Sequence, residues 1–273
     1  MTDGERKSLI TSRHNPHVKE AVRLRDRRHR EKQERILIDG ARELRRAARA
    51  GVRLVQVFVC DPLLSGDDSR LPVELAATGC EVLPVNEDVF HKLAFGQRAE
   101  GLLGVAETPH RTLQSLALPA GALVAVLEGV EKPGNLGAVL RSADAAGVSA
   151  VVVADGRTDL YNPNAIRASL GTIFVLPLVE ATGRQTREWL AEKKCSIVAA
   201  RVDGAVPYTA VDYRGPTAIV LGSEAAGLSP LWSGPDIRAV RLPMLGAADS
   251  LNVSVTAAVL FYEALRQRTA GAA

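Results

Sequence analysis

The sequence predicts an α/β protein with two sheet-containing domains, the second and larger one built on a parallel sheet. Strand-like and helix-like segments alternate along the chain, which is typical of layered α/β units. After residue 120, most predicted strands are unbroken aliphatic runs, which indicates parallel strands covered on both faces. A polar stretch with two prolines separates the two series. We therefore expect a first domain at residues 1–107, a linker at 108–120 and a second domain at 121–273.

The predicted elements follow from these patterns. In the first domain, an Asn-Pro turn leads into a basic helix at 17–33. The remaining elements there are strands at 35–38, 54–60, 81–85 and 102–107 and helices at 41–50, 73–77 and 87–93. In the second domain we predict strands at 123–127, 150–153, 174–176, 196–200, 218–221 and 239–242, with helices near 136–146, 163–171, 184–193 and 251–267.

Positive charge is concentrated at the start of the chain. Residues 1–50 contain fifteen Lys and Arg against eight Asp and Glu, whereas the whole chain contains 34 against 31. This asymmetry favours an anionic polymer as a partner, although a solvated helix of mixed charge has the same composition. Aromatic residues make up only 4% of the chain, so stacking on aromatic side chains is not expected to be the main mode of ligand binding.

Cysteine usage and hydropathy bear on the cellular compartment. Cys60, Cys80 and Cys195 lie far apart and suggest neither a zinc site nor a disulfide framework, which fits a reducing compartment. The sequence shows no signal peptide and no apolar run of about 20 residues. We therefore expect a soluble, cytoplasmic protein without a membrane segment.

Three polar loops follow predicted strands of the second domain, at the edge where parallel sheets bind ligands. The first, residues 128–147, contains Gly134 and Gly137, with Asn135 as a candidate helix cap and Arg141 more than one turn further on. Taken alone, this loop is most simply a capped helix with a surface arginine. It lacks the glycine spacing of a dinucleotide-binding site.

The second and third loops are also polar where a strand ends. In residues 218–230, Gly222 is followed by Glu224, which is either a helix cap or a site acid, and Ser229-Pro230 begins a helix. In residues 241–256, Ser250 is a candidate cap for the last helix, whereas Asn252 is less easily explained in that way.

The residue types exclude two common kinds of active site. The five histidines all lie outside the three loops, which argues against a Ser-His or Cys-His hydrolase. No spacing typical of metal ligands occurs, so no metal is expected.

The three loops together resemble the SpoU-type RNA 2′-O-ribose methyltransferases of the SPOUT superfamily. The matching motifs are N-x-G-x-x-x-R from Asn135 to Arg141, L-G-S-E-x-x-G from Leu221 to Gly227, and L-P-M followed by S-L-N-V-S-V between Leu242 and Val255. The likeness extends to NPNAIRASLGTIFVLP at 162–177, and NPHVKEAVRLRDRRHR and QRAEGLLGVAE resemble the start and end of the family's substrate-binding domain. It therefore covers nearly the whole chain.

The resemblance implies a deep trefoil knot near the C-terminus, bound S-adenosylmethionine and an obligate homodimer with the site at its interface. The candidate catalytic residues that it implies are Asn135, Arg141, Glu224, Ser250 and Asn252. The candidate cofactor-binding residues are Ala199, Gly222, Leu242, Met244 and Leu251. Gly222, Leu242 and Leu251 would act largely through backbone groups, Ala199 would line the adenosine pocket, and Met244 and Leu251 would contact the adenine. In the family the motif arginine is the proposed activator of the hydroxyl. Because a guanidinium keeps its proton up to a pKa above about 12, we assign Arg141 to fixing the ribose and a neighbouring phosphate.

The resemblance also gives the basic start of the chain a role. The side chains predicted to contact RNA are those of Arg13, Lys19, Arg23, Arg27, Arg28 and Arg30, with salt-dependent, largely sequence-independent affinity. The complete first domain favours ribosomal RNA, most simply 23S ribosomal RNA, as the substrate. Two alternatives stay open: a tRNA ribose methyltransferase and an RNA-binding or ribosome-assembly protein of the same fold without catalysis.

Overall fold

The computed structural model describes residues 8–95 and 100–270, and the chain forms two compact units. The first contains the chain up to Pro109 together with Tyr161–Phe174, and the second contains His110–Leu160 and the chain from Val175 onward. Arg167 ties the inserted segment to the first unit, since its guanidinium donates to the carbonyl of Phe95. The unit boundaries therefore follow packing, whereas the predicted domains follow sequence order.

The first unit is built on a four-stranded sheet with the order β1-β4-β2-β3. Its strands are β1 (Arg35–Asp39), β2 (Leu54–Val59), β3 (Glu81–Pro84) and β4 (Leu102–Glu107). Its helices are α1 (Pro16–Arg23), α2 (Arg27–Gln33), α3 (Ala41–Arg49), α4 (Leu71–Ala77), α5 (Glu87–Leu93) and α7 (Pro163–Ala168). β4 pairs antiparallel with β1 and β2, and β2 pairs parallel with β3. The α/β character predicted for this region is confirmed, and Gln97 to Ala99 of the QRAEGLLGVAE motif lie outside the described residues.

The second unit contains a seven-stranded sheet with the order β7-β6-β5-β10-β8-β11-β9. Its strands are β5 (Leu123–Glu128), β6 (Ala150–Ala154), β7 (Leu178–Ala181), β8 (Ser196–Ala200), β9 (Val206–Pro207), β10 (Thr217–Leu221) and β11 (Ile237–Arg241). Its helices are α6 (Pro133–Ala145), α9 (Gly183–Glu192) and α10 (Val253–Ala270), and α8 (Thr172–Val175) spans the junction with the inserted segment. All neighbouring strands are parallel, as predicted. The knot implied by the resemblance stays a prediction.

Two predicted elements are wrong. Residues 174–176 do not form a strand, because Phe174 and Val175 belong to the short helix α8 and the strand begins at Leu178. The basic helix at 17–33 is two helices, because Asp26 accepts a hydrogen bond from the Arg28 amide at 2.9 Å and so starts a second helix. The predicted entry is confirmed, since the Asn15 side chain caps α1 by accepting from the His17 amide.

Two arginines of the basic region serve the fold. Arg30 is 4% exposed, and its guanidinium donates to the carbonyls of Leu24 and Arg25, the last turn before α2. Arg25 donates to three carbonyls, those of Lys92, Leu93 and Ala94, at the end of α5. A cation is stabilising at a helix C-terminus, where carbonyl groups lack partners. Fewer positively charged side chains of this region are therefore available to a ligand than its net charge suggests.

The predicted linker is partly packed. Leu113 and Leu116 are each 5% exposed and belong to the hydrophobic core of the second unit, together with Trp189 and Trp232. Thr112 and Ser115 cap a 3₁₀ turn between them through reciprocal side-chain hydrogen bonds. This stretch therefore continues the second unit.

None of the helices in the two described ranges has the length and apolar character that crossing a bilayer requires. Within the same residues, no group of three or more His, Cys, Asp or Glu side chains is placed to hold a metal ion.

A buried carboxylate closes β1 in the first unit. Asp39 is 7% exposed, and it accepts a hydrogen bond from the Phe95 amide at 2.9 Å, with the Arg167 guanidinium 3.6 Å away. Burial raises the pKa of Asp39 to about 6, against the lowering effect of the Phe95 amide and Arg167; Glu100 and Glu43 add to the rise.

We expect Asp39→Asn to change how stability depends on pH. Because the folded pKa exceeds the unfolded value of 3.8, the contribution of Asp39 is fully present below pH 3.8 and is lost as pH rises through about 6. Asparagine stays neutral, so the variant should gain up to roughly 2–3 kcal/mol relative to wild type between pH 4 and pH 7.5. Denaturant unfolding of both proteins at these two pH values measures the gain. A stability difference that is the same at both pH values would contradict this assignment.

Candidate functional site

The sheet edge brings the first two motif loops together. β5 and β10 are adjacent and parallel, and Leu221 lies opposite Leu127 in the register. The two strands therefore end at the same level, and the loops that begin at Gly129 and Gly222 start side by side. The third loop follows β11, further along the same edge.

Glu224, in the second loop, is the shared hydrogen-bond acceptor for side chains of the first and third loops. Its Oε1 accepts from Nδ2 of Asn135, in the first loop, and from Nδ2 of Asn252, in the third loop, the latter at 3.1 Å. The two amides also meet, with 3.3 Å between Nδ2 of Asn252 and Oδ1 of Asn135. Three of the five predicted catalytic residues, distant in sequence, thus form one cluster.

Lys132 completes the surroundings of Glu224. Its Nζ lies 2.7 Å from Oε2 of Glu224, and the hydrogen bond to this carboxylate raises the pKa of Lys132. The lysine remains 72% exposed, so its charge is also available to a ligand. Sequence reasoning missed Lys132; its place in the first loop, immediately before the first-turn proline of α6, was the available signal.

Asn252 has a second role at the start of α10. Its Oδ1 accepts from the Ser254 amide at 2.9 Å and from the Ser254 hydroxyl at 2.6 Å. The helix begins at Val253, so the prediction that Ser250 caps it is wrong. Because Oδ1 of Asn252 faces the backbone amide of Ser254, Nδ2 of Asn252 must face Glu224. The helix cap thus fixes the orientation of the Asn252 side-chain amide.

Asn135 does not cap α6 either. The helix begins at Pro133, which makes Asn135 its third residue, and the backbone amide of Asn135 already donates to the Lys132 carbonyl. Its side chain is therefore free to leave the helix and meet Glu224 rather than satisfy the helix end.

A tight turn presents Glu224. Ser223 and Gly227 exchange backbone hydrogen bonds of 3.1 and 2.9 Å, and the Ser223 hydroxyl accepts from the Ala226 amide at 3.1 Å. Gly222 allows this turn to fold back on the strand end, since a Cβ there would lie 2.2 Å from the carbonyl carbon of Gly227. Gly222 thus has a packing requirement that is independent of any ligand.

A cavity of about 300 Å³ lies against the cluster. Its lining combines ionic, amide and apolar groups and consists of Val130, Glu131, Lys132, Asn135, Ser223, Glu224, Ala225 and Val253. Small-molecule sites share this combination of an apolar lining with a few converging polar groups. The cavity therefore offers polar groups to a ligand beside the apolar side chains of Val130 and Val253.

Arg141 and Ser250 are not part of the cluster. Arg141 is exposed on α6, about 9 Å along the helix axis from Asn135. Ser250 is exposed in the third loop. Neither side chain has a hydrogen bond or an ion pair among the residues that the structure describes.

The predicted cofactor-binding residues fall into two groups. Leu242, Met244 and Leu251 lie in the open third loop, where the described hydrogen bonds engage no backbone group from Leu242 to Leu251. Ala199, in contrast, is completely buried inside β8 and pairs with strands on both sides, which argues against a ligand contact by its side chain.

The residues predicted to contact RNA also differ in availability. Three are in exposed ion pairs within the first unit: Arg13 with Asp88, Arg23 with Glu20, and Arg27 with Glu31. Lys19 and Arg28 are exposed, and neither has an ion pair within the described part of the chain. The burial of Arg30 argues against a phosphate contact at that position.

We expect Gly222→Ala to displace the Ser223–Gly227 turn and to lower stability, because the new Cβ would overlap backbone atoms. Gly134→Ala is the matched control, since a Cβ at this helical position meets nothing within 4 Å and should be neutral or stabilising by about 1 kcal/mol. Denaturant unfolding measures the stability of the two variants relative to wild type. Equal stability would show that the turn adapts at no cost.

Comparison with known proteins identifies relatives of both parts of the chain. Residues 122–262 match the model of the SpoU rRNA Methylase family, and residues 15–104 match the MRM3-like substrate binding domain. A 23S rRNA (uridine(2479)-2′-O)-methyltransferase of Streptomyces viridochromogenes is 30% identical over 247 residues, which cover 86% of this chain and 77% of the relative.

Solved structures extend the similarity to nearly the full length. The crystal structure of an RNA 2′-O ribose methyltransferase has a TM-score of 0.84 at 44% identity and covers 96% of this chain and 100% of its own. An AdoMet-bound rRNA methyltransferase from Sinorhizobium meliloti has a TM-score of 0.86 at 28% identity, covering 95% and 97%.

Proposed function

Because the chain belongs to the SpoU rRNA methylase family, we propose that it methylates the ribose 2′-hydroxyl of a nucleotide in ribosomal RNA, most simply 23S ribosomal RNA. Membership makes the protein an S-adenosylmethionine-dependent RNA methyltransferase. The observation that carries the proposal is the meeting of Asn135, Glu224 and Asn252 beside a cavity. The relative that acts on 23S ribosomal RNA favours that substrate over tRNA.

The third loop suits S-adenosylmethionine. Its backbone groups from Leu242 to Leu251 have no described hydrogen-bond partners, so they are available to the polar edge of an adenine. Leu251 is 40% exposed and Leu245 fully exposed, and such apolar side chains gain by covering a flat aromatic ring. We propose that Leu242, Met244 and Leu251 hold the cofactor and that Gly222 contributes backbone groups at the neighbouring strand end.

In the reaction, a bond forms between the 2′-oxygen and the methyl carbon, the carbon–sulfur bond breaks with its electron pair staying on sulfur, and the hydroxyl proton passes to solvent water. Bound S-adenosylmethionine supplies a methyl group on a positively charged sulfur. The chain's residues contribute by positioning, because charge is neutralised as the methyl moves and no oxyanion develops. Asn135 and Asn252 present fixed amides to the ribose, and Glu224 holds both amides in place. Glu224 already accepts three donors, which suits an orienting role.

Arg141 completes the proposed site from a second copy of the chain. Val255 and Tyr262 are 47% and 50% exposed and lie with Val259 on one face of α10 at i, i+4 and i+7 spacing. α10 packs against α6, the helix that carries Arg141. We propose that this apolar face pairs with its copy in a homodimer. Arg141 of one protomer would then meet the ribose and phosphate held by its partner, with Ser250 beside it.

The proposal is tested with the purified protein, S-adenosylmethionine and RNA. We expect 2′-O-methylation of 23S ribosomal RNA, mapped at nucleotide resolution, and loss of transfer with retained cofactor binding in Arg141→Ala and Asn252→Asp. Asparagine-to-aspartate substitution keeps the cap of α10 but places a second carboxylate against Glu224. Methylation of tRNA alone would assign the substrate to tRNA. Absence of cofactor binding in calorimetry would make the protein a non-catalytic RNA binder.

The same two variants test the shared site. A heterodimer of Arg141→Ala and Asn252→Asp, isolated through two different tags, should regain about half the wild-type rate, because one of its two sites carries both changes and the other neither. A heterodimer as inactive as its parents would place Arg141 and Asn252 of one protomer in the same site. A monomer in sedimentation would overturn the dimer itself.

We further propose that the domain at residues 1–107 binds RNA through Lys19 and Arg28, assisted by Arg13, Arg23 and Arg27. The latter three can exchange their carboxylate partners for phosphates, because exposed ion pairs contribute only about 0–1 kcal/mol. Residues 108–120 would lead from this domain into the methyltransferase domain at 121–273. We also propose that the protein acts in the cytoplasm, as an RNA substrate of this kind suggests, and cell fractionation would check this.

Removing both Lys19 and Arg28 by alanine substitution should weaken RNA binding and flatten its salt dependence. Each lost phosphate contact lowers the slope of log affinity against log salt by about 0.7–0.9. Arg184→Ala is the control, since Arg184 is an exposed, ion-paired arginine on α9 of the second unit. Binding titrations at several salt concentrations give the slopes. Equal slopes for the double variant and the control would remove these two residues from the RNA contact.

A further inference from the structure

The strand that leads into the first motif loop ends in a buried charge. β5 is apolar from Leu123 to Leu127 and closes with Glu128, which is only 7% exposed. β5 lies between β6 and β10, in the middle of the sheet. A carboxylate in this position loses hydration, which is unfavourable unless hydrogen bonds replace the lost water. Glu128 therefore needs strong partners at this place.

Both oxygens of Glu128 bind one residue of the second motif loop. Oε2 accepts from the Ser229 amide at 2.7 Å, and Oε1 accepts from the Ser229 hydroxyl at 2.6 Å. Such charge-assisted hydrogen bonds are about twice as strong as neutral ones. Two contacts to one residue fix both the position and the orientation of the chain at Ser229.

Ser229 is the far end of the segment that carries Glu224. The near end is Gly222, which follows β10 directly, and the turn between Ser223 and Gly227 is closed by its own hydrogen bonds. The segment from Gly222 to Ser229 is therefore held at one end by the sheet and at the other by Glu128. Its closed turn leaves little freedom for Glu224 to move independently.

We propose that the contact between Glu128 and Ser229 positions Glu224 for methyl transfer, and through Glu224 the amides of Asn135 and Asn252. Glu128 and Ser229 are positioning residues that touch neither substrate nor cofactor. The inference rests on the proposed function for its catalytic consequence, whereas its structural part concerns the chain alone.

Three variants separate the parts of this contact. Glu128→Ala removes both acceptors, and Ser229→Ala removes one hydrogen bond. Glu128→Gln keeps the length and can still accept from the amide and donate to the hydroxyl. Glu263→Ala is the matched control, since Glu263 is a buried carboxylate of the same unit, 8% exposed, whose partners Arg266 and Gln267 lie within α10.

The first measurement does not depend on activity. The side-chain amide signals of Asn135 and Asn252 are followed by NMR in the protein without ligands. We expect both signals to shift or broaden in Glu128→Ala, to change less in Ser229→Ala, and to stay in place in Glu128→Gln and Glu263→Ala. Unchanged signals in Glu128→Ala overturn the proposal; if that variant does not fold, unchanged signals in Ser229→Ala do so.

The second measurement is a kinetic cycle with Glu224. A misplacement of about 1 Å can cost 100-fold in rate, so we expect kcat to fall about 10- to 100-fold in Glu128→Ala with S-adenosylmethionine affinity little changed. If the effect passes through Glu224, adding Glu128→Ala to Glu224→Ala costs no further activity. Additive losses overturn the positioning role. A wild type that binds the cofactor but methylates no RNA contradicts the proposed function, and the amide signals still decide the structural part.

Discussion

The candidate site depends on one carboxylate that accepts hydrogen bonds from two other loops. Glu224 lies on a turn after β10, and the amides of Asn135 and Asn252 reach it from α6 and from the start of α10. The parallel sheet brings these three chain segments to the same edge, because all of its strands end there and the return connections lie elsewhere. The sheet thus provides the site by aligning strand ends, and its own residues contribute little chemistry.

Packing around this carboxylate explains residues that carry no reactive group. Gly222 is required because the turn folds back onto its own strand end. The side-chain amide of Asn252 has one acceptor and one donor group. Its Oδ1 caps the start of α10, while its Nδ2 donates to the Glu224 carboxylate. The site is preorganised by ordinary secondary-structure requirements, and its polar residues are held before any ligand arrives.

Periodicity and motifs predicted the parallel sheet and the three loops, because buried strands and strand-end motifs are local signals.

The predictions were wrong where a contact between distant parts of the chain determines the local structure. Asp26 splits the basic helix by capping a second one, and Arg30 turns inward to carbonyls that no pattern identifies. Phe174 was assigned to a strand because a short apolar run suits either element. The capping roles were wrong as well: Asn135 does not cap α6, whereas Asn252 caps α10, because the fold determines which asparagine faces a free helix end. Arg141 lies apart from the cluster within one chain, and the motif that contains both Asn135 and Arg141 did not indicate this separation.

The double use of Asn252 has a consequence for how this position can vary. Aspartate or serine would cap the helix about as well as asparagine, and threonine less well, but none offers a nitrogen donor to Glu224 while accepting from Ser254. Glutamine has both groups, but its longer side chain is a poor cap. A substitution that preserves folding therefore still disturbs the site, and one that restores the donor disturbs folding. The same side chain serves the helix end and the contact with Glu224, so each of these substitutions alters at least one of the two.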